Sequence, residues 1–343
     1  MKVLFLTPWY PSEKDKMSGL FVQKHVEAVR AQGVDVRVIF SQTWWDTWRQ
    51  WRALQREGWL PDVVQLNVIQ KQGVLALWLK RRYKIPYVII EHWTGYLPEH
   101  LSIRSNGLHT WFMKLICKEA EVVMPVSEHL GAAMRSLGFC AKKWQKINNV
   151  VEDFFYQSSR TGSVSIRFLH VSCMDEAHKN IKGILRAFKT LTETRRDIHL
   201  TIVGVSADQR ELLAYTDELR LSAEQIRWAG ELAPEEVAKT FDNTDIFVLN
   251  SNYENAPVVI SESLAKGVPV ISTNVGGIPE MVNAQCGILI APKKDQELLE
   301  AMQYMCNHYR EFDRDIIRHA GRAYSFEAVG KQLKEIYDEA LNG

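Results

Sequence analysis

The chain has 343 residues, a net charge of +1, 46% hydrophobic residues and 24% charged residues. Its length predicts two α/β domains of about 150 residues each, because one ordinary core would not need so long a chain. The composition excludes a disordered chain, and the near-neutral charge gives no reason to expect nucleic acid as a partner. The five cysteines are scattered without a C-x-x-C pair. They favour free thiols in a reducing, cytoplasmic compartment over a disulfide framework or a structural zinc site.

The first half of the chain alternates short β-branched runs with helical periodicity, which is typical of a parallel sheet covered by helices. The N-terminal run Val3–Thr7 is too short for the core of a signal peptide and predicts a buried first strand. A loop through Gly19 and a helix that ends at Gly33 follow. Further strands are predicted at Val36–Phe40, Val63–Leu66, Tyr87–Glu91 and Glu121–Val126. No apolar run approaches the roughly eighteen residues that a membrane-spanning helix needs.

Tryptophan and arginine interleave between residues 44 and 59, where the sequence has Trp44, Trp45, Trp48, Arg49, Trp51, Arg52, Arg56 and Trp59. A basic run at residues 80–84 follows a little further along the chain. Such a mixture is typical of a peripheral membrane contact or of a surface that binds an acceptor. A tryptophan-rich helix that packs on its own domain is an equally good interpretation, and the sequence leaves both open.

A second series of strands and helices begins at RFLHV, residues 167–171, after a polar stretch at 157–165 that predicts an interdomain linker. Its further strands are predicted in IHLTIVG, near Ile226, in DIFVLN and in VPVIS. We therefore expect one domain over residues 1–156 and a second over residues 157–323. Residues 325–343 predict one amphipathic helix, and we expect the segment 324–343 to pack back on the first domain.

The densest functional signal lies between Asn250 and Val282. DIFVLN delivers the chain to the carboxyl edge of a sheet, which is where doubly wound folds bind ligands. A loop at residues 251–256 follows, and Pro257 is predicted as the first residue of a helix. The N–H groups of Val258 and Val259 would then point out of the helix end and form an anion site suited to a diphosphate.

Two glutamates accompany this predicted anion site. Glu254 lies in the loop, and Glu262 lies one turn into the helix, on the face of Val258. A carboxylate accepts two hydroxyl bonds at once, which suits the vicinal diol of a ribose. Spacing alone favours a simpler interpretation, in which Glu262 pairs with Lys266 at i+4 and Glu254 is a solvated loop residue.

The segment resembles the signature of retaining glycosyltransferase family 4. Its elements occur in the family's order, namely Glu254 and Glu262 with seven residues between them, then LAKG, VPVIS and the turn Gly276-Gly277-Ile278-Pro279-Glu280. The likeness covers nearly the whole chain, including the early glycine loop, PVSEHL, INNVVEDFF and the final helix. It implies an α/β fold of the GT-B type, with two Rossmann-like doubly wound domains that face a central cleft.

The resemblance also implies roles for individual positions. Glu262 would bind the ribose, Glu254 would contact the donor sugar, and Lys179 would neutralise the diphosphate as negative charge develops on the leaving group. Asn255, Ala256, Pro257, Val258 and Val259 would hold sugar and diphosphate through backbone groups. A solvated lysine near a helix start is the alternative for Lys179. Many relatives have Gly-Arg where this chain has Ser172-Cys173, so a second phosphate-binding cation is missing from its usual place.

In the first domain, the resemblance points to Gly19 and His92. Gly19 lies between a strand and a helix, where a missing side chain would let the backbone approach the donor phosphate or the acceptor. His92 follows the strand YVIIE and resembles a histidine that relatives place near the anomeric carbon. It would bind a sugar hydroxyl or shuttle a proton, although a loop-capping role fits too. Glu91 is expected to be structural.

The function that follows is transfer of a sugar from a UDP- or GDP-sugar donor to a glycan or lipid-linked acceptor, with retention of anomeric configuration. Surface polysaccharide or glycolipid synthesis is the expected setting, at the inner face of the membrane if the protein associates peripherally. We expect no cofactor and no metal, because the one Asp-x-Asp sequence, Asp313 and Asp315, falls in a charged helical stretch near the C-terminus.

Other functions explain the sequence less well. A nicotinamide-dependent oxidoreductase would need a G-x-G-x-x-G turn after a strand, and a sugar phosphorylase would need a pyridoxal-phosphate signature; the sequence has neither. A nucleotide-sugar epimerase fits the glutamate pair less well. A catalytically weak nucleotide-sugar-binding subunit that supports a partner enzyme stays open, with the Ser172-Cys173 departure as its only support.

Overall fold

The computed structural model describes residues 1–13, 15, 18–100, 102–103, 107–157, 164–205 and 207–343. The chain forms two compact units. Unit 1 comprises Met1–Val150 and Tyr324–Gly343, and unit 2 comprises Val151–Ala323. Each unit contains one parallel sheet with helices packed against it, which confirms the prediction of two Rossmann-like α/β domains.

The sheet of unit 1 has five parallel strands in the order β2-β1-β3-β4-β5. They are β1 (Lys2–Thr7), β2 (Asp35–Phe40), β3 (Val63–Asn67), β4 (Tyr87–Glu91) and β5 (Val123–Pro125). All five predicted strands are therefore confirmed. Strands β3 and β4 are buried along their whole length, because helices cover both faces of a parallel sheet.

The helices of this part of unit 1 are α1 (Leu20–Ala31), α2 (Trp44–Arg56), α3 (Gly73–Tyr83), α4 (Leu108–Glu119) and α5 (Glu128–Ser136). The predicted apolar face of α1 is buried. Gly33 follows α1 with a φ of +77°, the left-handed conformation that commonly ends a helix. Ser127 caps α5, since its hydroxyl accepts the N–H of Leu130 at 3.0 Å.

The sheet of unit 2 has six parallel strands in the order β11-β10-β9-β6-β7-β8. They are β6 (Ile166–Val171), β7 (Ile198–Val203), β8 (Ile226–Gly230), β9 (Ile246–Leu249), β10 (Val270–Thr273) and β11 (Gly287–Ile290). The first five confirm the predicted strands, whereas β11 was not predicted. It is a four-residue edge strand that starts at Gly287, where a Cβ would lie 2.0 Å from the carbonyl oxygen of Val270.

The helices of unit 2 are α6 (Glu176–Lys179), α7 (Ile181–Thr194), α8 (Gln209–Glu218), α9 (Pro234–Asp242), α10 (Val258–Ala265), α11 (Asp295–His308) and α12 (Arg314–Gly321). Asp313 is the N-cap of α12, where its carboxylate accepts the N–H of Asp315 at 2.8 Å. The Asp-x-Asp sequence is thus part of a helix start. Most of the predicted linker, residues 158–163, lies outside the described residues.

The last helix, α13 (Phe326–Asn342), is the amphipathic helix that the sequence predicts, and it belongs to unit 1. It packs on α1 so closely that a Cβ on Gly330 would lie 2.4 Å from the carbonyl oxygen of Ala28. The buried hydroxyl of Tyr337 donates to the side chain of Gln65 in β3. In the described part of the chain, no helix is both long enough and apolar enough to cross a lipid bilayer.

Candidate functional site

The carboxyl edge of the unit 2 sheet brings together two segments that are far apart in sequence. Strands β6 and β9 are neighbours in this sheet. Because parallel strands end at the same edge, the segment after β6 meets the loop after β9. The first segment contains α6 with Lys179, and the second, residues 250–257, contains Glu254 and leads into α10.

Lys179 and Glu254 form a buried ion pair at this edge. The Nζ of Lys179 lies 2.5 Å from Oε1 of Glu254, and the two residues are 8% and 7% exposed. The hydroxyl of Ser251 donates to the same oxygen at 2.8 Å. Neither residue is therefore the solvated side chain of the simpler interpretation. Each charge depends on the other, since a buried charge without its partner costs several kcal/mol.

His178 and Tyr253 hold the two segments together. Their rings stack in parallel with centroids 4.0 Å apart, and Nε2 of His178 lies 2.7 Å from the carbonyl oxygen of Tyr253. Two more bonds join the segments, because the N–H of Asn252 donates to the His178 carbonyl and its side chain donates to that of Ala177. His178 and Tyr253 were not predicted from the sequence, and only the adjacency of each to a predicted site residue could have indicated them.

The glycine turn after β10 supports the backbone of Glu254. Gly276 has a φ of +55°, and a Cβ there would lie 1.8 Å from the carbonyl oxygen of Glu254. The N–H of Gly277 donates to the carbonyl of Asn255 at 3.0 Å. Only glycine fits at position 276, because both the backbone conformation and the contact exclude a side chain.

Helix α10 begins one residue later than predicted. Pro257 is its N-cap, with a φ of −67° and an extended ψ of 116°, and its carbonyl accepts the N–H of Ile260. The prediction that Pro257 is the first helical residue was therefore wrong, because its ψ is not helical. Val258 and Val259 still carry the first N–H groups of the helix, which have no partner within it. The positive end of the helix dipole adds to their attraction for an anion.

The partner of Lys266 differs from the simple sequence interpretation. Its Nζ lies 2.8 Å from Oδ1 of Asp242 and donates to the carbonyl of Gln157 at 2.6 Å. Both charged residues are buried, so this is an internal ion pair of unit 2. Glu262 is half-buried one turn after Val258, on the same face of α10. The carboxylate that pairs with Lys266 is therefore that of Asp242, and not the Glu262 carboxylate that the i+4 spacing suggests.

Ser172, the first residue of the Ser172-Cys173 departure, takes part in a hydrogen-bond chain. Its hydroxyl lies 2.8 Å from Nε2 of His170 and accepts the N–H of Met174 at 3.0 Å. Nδ1 of the fully buried His170 lies 2.9 Å from the carbonyl oxygen of Val248. Burial lowers the pKa of His170 to about 4. Cys173, the next residue, is exposed.

In unit 1, Gly19 lies at the start of α1, and His92 contacts Phe21 of the same helix. Gly19 is the N-cap of α1 with a φ of +70°, and a Cβ there would lie 2.3 Å from the backbone carbon of Trp9. Its missing side chain therefore makes room for the chain's own backbone. The ring of His92 lies 4.2 Å from that of Phe21. Burial, and secondarily His25, lowers the pKa of His92 well below its ordinary value, so the imidazole is neutral at pH 7.

Glu91 has the structural role that the sequence predicts. Its buried carboxylate accepts four hydrogen bonds, from the backbone N–H groups of Ile69, His92 and Trp93 and from the hydroxyl of Tyr96. These bonds fix the loop that carries His92. Burial raises the pKa of Glu91 to about 7, although the four donors oppose that shift by favouring the carboxylate.

Two protein-family models match the chain. A model described as Glycosyltransferase Family 4 matches residues 1–153, and a model described as Glycosyl transferases group 1 matches residues 166–322. The first match lies within unit 1 except for its last few residues, and the second lies within unit 2. The two matches together leave residues 154–165 and 323–343 uncovered, which include α13.

One curated relative and two solved structures illustrate the similarity. A glycogen synthase of Mycobacterium tuberculosis is 26% identical over 263 residues, which are 72% of this chain and 60% of the synthase. The match thus spans about three fifths of that relative's length. Sucrose-phosphate synthase from Thermosynechococcus elongatus has a TM-score of 0.80 at 17% identity and covers 100% of this chain, with 99% of its own chain covered. Anabaena HepE in complex with UDP-glucose has a TM-score of 0.75 at 18% identity, with 99% and 100% covered. At such identities the structural likeness establishes the fold.

The glycine turn yields a test of stability. We expect Gly276→Ala to destabilise unit 2 by about 2 kcal/mol or more beyond the cost of its positive φ alone, because the new Cβ overlaps the Glu254 carbonyl. Gly230→Ala is the matched control, since Gly230 has a φ of +69° and open space around its Cβ position. Urea unfolding of both variants measures the difference. Equal destabilisation would show that the contact with Glu254 costs nothing.

His170 yields a test of pH dependence. Its folded pKa of about 4 lies below the ordinary value of 6.5, so the unfolded chain takes up a proton first as the pH falls. Wild-type unit 2 should lose about 2 to 3 kcal/mol of stability to this residue between pH 6.5 and pH 4.5. His170→Asn keeps a donor for the Val248 carbonyl, cannot titrate, and should flatten that loss.

Hydrogen exchange of unit 2 peptides across this pH range measures the His170 effect. His199→Asn is the control, because His199 lies on the neighbouring strand β7 with its side chain at the surface. It should keep the wild-type dependence on pH. The same dependence in His170→Asn as in wild type would contradict the assignment.

Proposed function

The chain belongs to glycosyltransferase family 4, and on that basis we propose that it is an enzyme that transfers a sugar from a nucleotide-diphosphate sugar to an acceptor. The observation that carries this proposal is the buried Lys179–Glu254 pair at the carboxyl edge of the unit 2 sheet. Glu254 lies four residues before Val258, the first residue of α10, so the ion pair and the first N–H groups of the helix belong to one short stretch of the sheet edge.

The donor's diphosphate binds at the start of α10 in this proposal. The N–H groups of Val258 and Val259 donate to phosphate oxygens, and backbone groups of Asn255, Ala256 and Pro257 line the approach. Glu262 accepts the hydroxyls of the ribose from the next turn of the helix. Its half-buried carboxylate is oriented by the same helix that presents the N–H groups, which favours one fixed distance between phosphate and ribose.

Lys179 and Glu254 perform the chemistry. When the bond between sugar and diphosphate breaks, negative charge develops on the leaving phosphate, and the ammonium of Lys179 stabilises it. Glu254 holds that ammonium and accepts hydroxyls of the donor sugar with its remaining lone pairs. Since His178, Tyr253 and Gly276 fix the loop of Glu254, little reorganisation is needed when the donor binds.

The acceptor and the compartment are further parts of the proposal. We propose a glycan or lipid-linked acceptor, transfer with retention of anomeric configuration, and a setting in surface polysaccharide or glycolipid synthesis; the similarity to a glycogen synthase supports a glycan. The neutral imidazole of His92 is suited to bind an acceptor or donor hydroxyl. All five cysteines are free thiols, which supports a reducing, cytoplasmic compartment.

Binding and turnover test the proposal separately. UDP, GDP, ADP and their sugars are compared for thermal stabilisation, with UDP-glucose included because HepE was solved with it. A cognate ligand at about one hundred times its Kd should stabilise the protein by about 2.7 kcal/mol. Product formation from that donor, followed by NMR of the anomeric proton, then measures transfer and its stereochemistry. Binding with no turnover on any acceptor would favour a nucleotide-sugar-binding subunit instead.

A double variant separates the structural role of the ion pair from its chemical role. We expect Lys179→Met and Glu254→Gln each to lower kcat at least about 100-fold, and each to destabilise unit 2 by leaving one buried charge alone. The double variant removes both charges and should recover much of the lost stability while activity stays low. Urea unfolding and initial rates measure the two effects. If the double variant recovered activity as well as stability, the pair would have only a structural role.

We further propose that catalysis needs no metal ion. Lys179 and the N–H groups at the start of α10 supply positive charge at the proposed diphosphate site, and Asp313 is committed to capping α12. Activity should therefore persist within about twofold in excess EDTA, as initial rates would show. Loss of activity that only magnesium or manganese restores would contradict this.

A further inference from the structure

One face of helix α2 is exposed to solvent and carries a tryptophan together with arginines. Trp45, Arg49, Arg52 and Arg56 follow one another at helical spacing and are all exposed. Trp45 is 82% exposed, so almost its whole indole is in water. The opposite side of the helix is buried through Thr47 and Trp51. The interpretation as a helix that packs on its own domain therefore holds for the buried face, and the exposed face has no counterpart in the packing of unit 1 among the described residues.

An aromatic row lies beside this exposed face and continues onto α3. The rings of Trp44 and Trp48 are 5.4 Å apart, those of Trp48 and Trp78 are 4.9 Å apart, and those of Trp78 and Tyr83 are 5.3 Å apart. All three contacts are edge-to-face, the geometry that aromatic pairs prefer. The two helices thus present one continuous aromatic surface with a fixed shape.

The same surface is strongly basic. Residues 44–84 contain eight Lys or Arg residues and three Asp or Glu residues, in a chain with a net charge of only +1. Arg81, Arg82 and Lys84 are exposed at the end of α3, next to Tyr83. Of the acidic residues, Asp46 pairs with Arg49 on α2 itself. We call this region, formed by Trp44, Trp45, Trp48, Arg49, Arg52, Arg56, Trp78, Arg81, Arg82, Tyr83 and Lys84, the α2–α3 surface.

We propose that the α2–α3 surface binds the face of an anionic lipid bilayer. Indole and phenol rings favour the boundary between headgroups and acyl chains, where the apolar ring leaves water and the polar edge stays hydrated. Arginines beside them bind headgroup phosphates, and each basic residue near an anionic surface adds to the attraction. Charge complementarity selects anionic lipid in particular, because zwitterionic headgroups offer no net attraction to the arginines.

This inference does not depend on the proposed function. The α2–α3 surface belongs to unit 1, whereas the Lys179–Glu254 pair belongs to unit 2. Loss of lipid binding would therefore leave donor binding intact, and loss of donor binding would leave lipid binding intact. The two ideas fail separately.

Vesicle flotation of the whole 343-residue chain tests the proposal. The probes are vesicles of phosphatidylcholine alone and of phosphatidylcholine with about 30% phosphatidylglycerol. We expect the protein to float with the anionic vesicles and to be released when sodium chloride is raised from about 0.1 M to about 0.5 M. Absence from the anionic vesicles would overturn the proposal. Binding to soluble dextran sulfate without binding to vesicles would assign the surface to an anionic glycan, and it would also overturn the proposal.

Two variants with matched controls locate the binding surface. Trp45→Ala should lower partitioning into anionic vesicles roughly tenfold, while Trp111→Ala, which removes a 59% exposed tryptophan of α4, should leave it unchanged. Arg52→Glu combined with Arg56→Glu should lower partitioning at least about tenfold. Arg196→Glu combined with Arg210→Glu makes the same change in net charge on exposed residues of unit 2 and should have little effect. All of these positions are exposed, so unchanged thermal unfolding verifies the fold. Equal losses in test and control variants would overturn the assignment to the α2–α3 surface.

Discussion

The buried ion pair between Lys179 and Glu254 sets the requirements that the rest of unit 2 meets. Two charges can be buried together only when their geometry is fixed, because any separation leaves each of them without solvent and without a partner. The parallel order of the sheet brings the two backbones to one edge, and the stack of His178 on Tyr253 fixes their distance. The glycine turn after β10 then packs against the backbone of Glu254 and Asn255. The strand order, the ring stack and the glycine turn thus all act on the two segments that carry the pair.

The two units use buried polar groups in different ways. In unit 2 the buried lysine and glutamate pair with each other at the carboxyl edge of the sheet, beside the start of α10. In unit 1 the buried carboxylate of Glu91 accepts four hydrogen bonds, and all four donors belong to unit 1 itself. Hydrogen bonds from the surrounding backbone and a tyrosine fix the Glu91 carboxylate within its own loop, whereas the Glu254 carboxylate depends on the charge of a lysine from another segment.

How far the sequence predicts this molecule depends on whether a feature is local. The strands of both sheets were predictable because burial on both faces leaves continuous apolar runs, and β11 was missed because four residues that begin with glycine give too short a run. The motif around Glu254 was predictable through its resemblance to a family. The ion pair itself was not, since its partners are 75 residues apart and meet only through the strand order. The true partner of Lys266, Asp242, was hidden for the same reason.

The path of the chain through the two units has a consequence for how the protein is made. Unit 2 is one continuous segment, whereas unit 1 is completed only by α13, which follows unit 2 in the chain. Until that helix has been synthesised, the face of α1 around Ala28 cannot pack against Gly330, and the side chain of Gln65 lacks the hydroxyl of Tyr337. Unit 1 can therefore be completed only after the whole of unit 2 has been synthesised, and its N-terminal part stays partly uncovered until then. A chain that stops before α13 would therefore contain all of unit 2 but an incomplete unit 1.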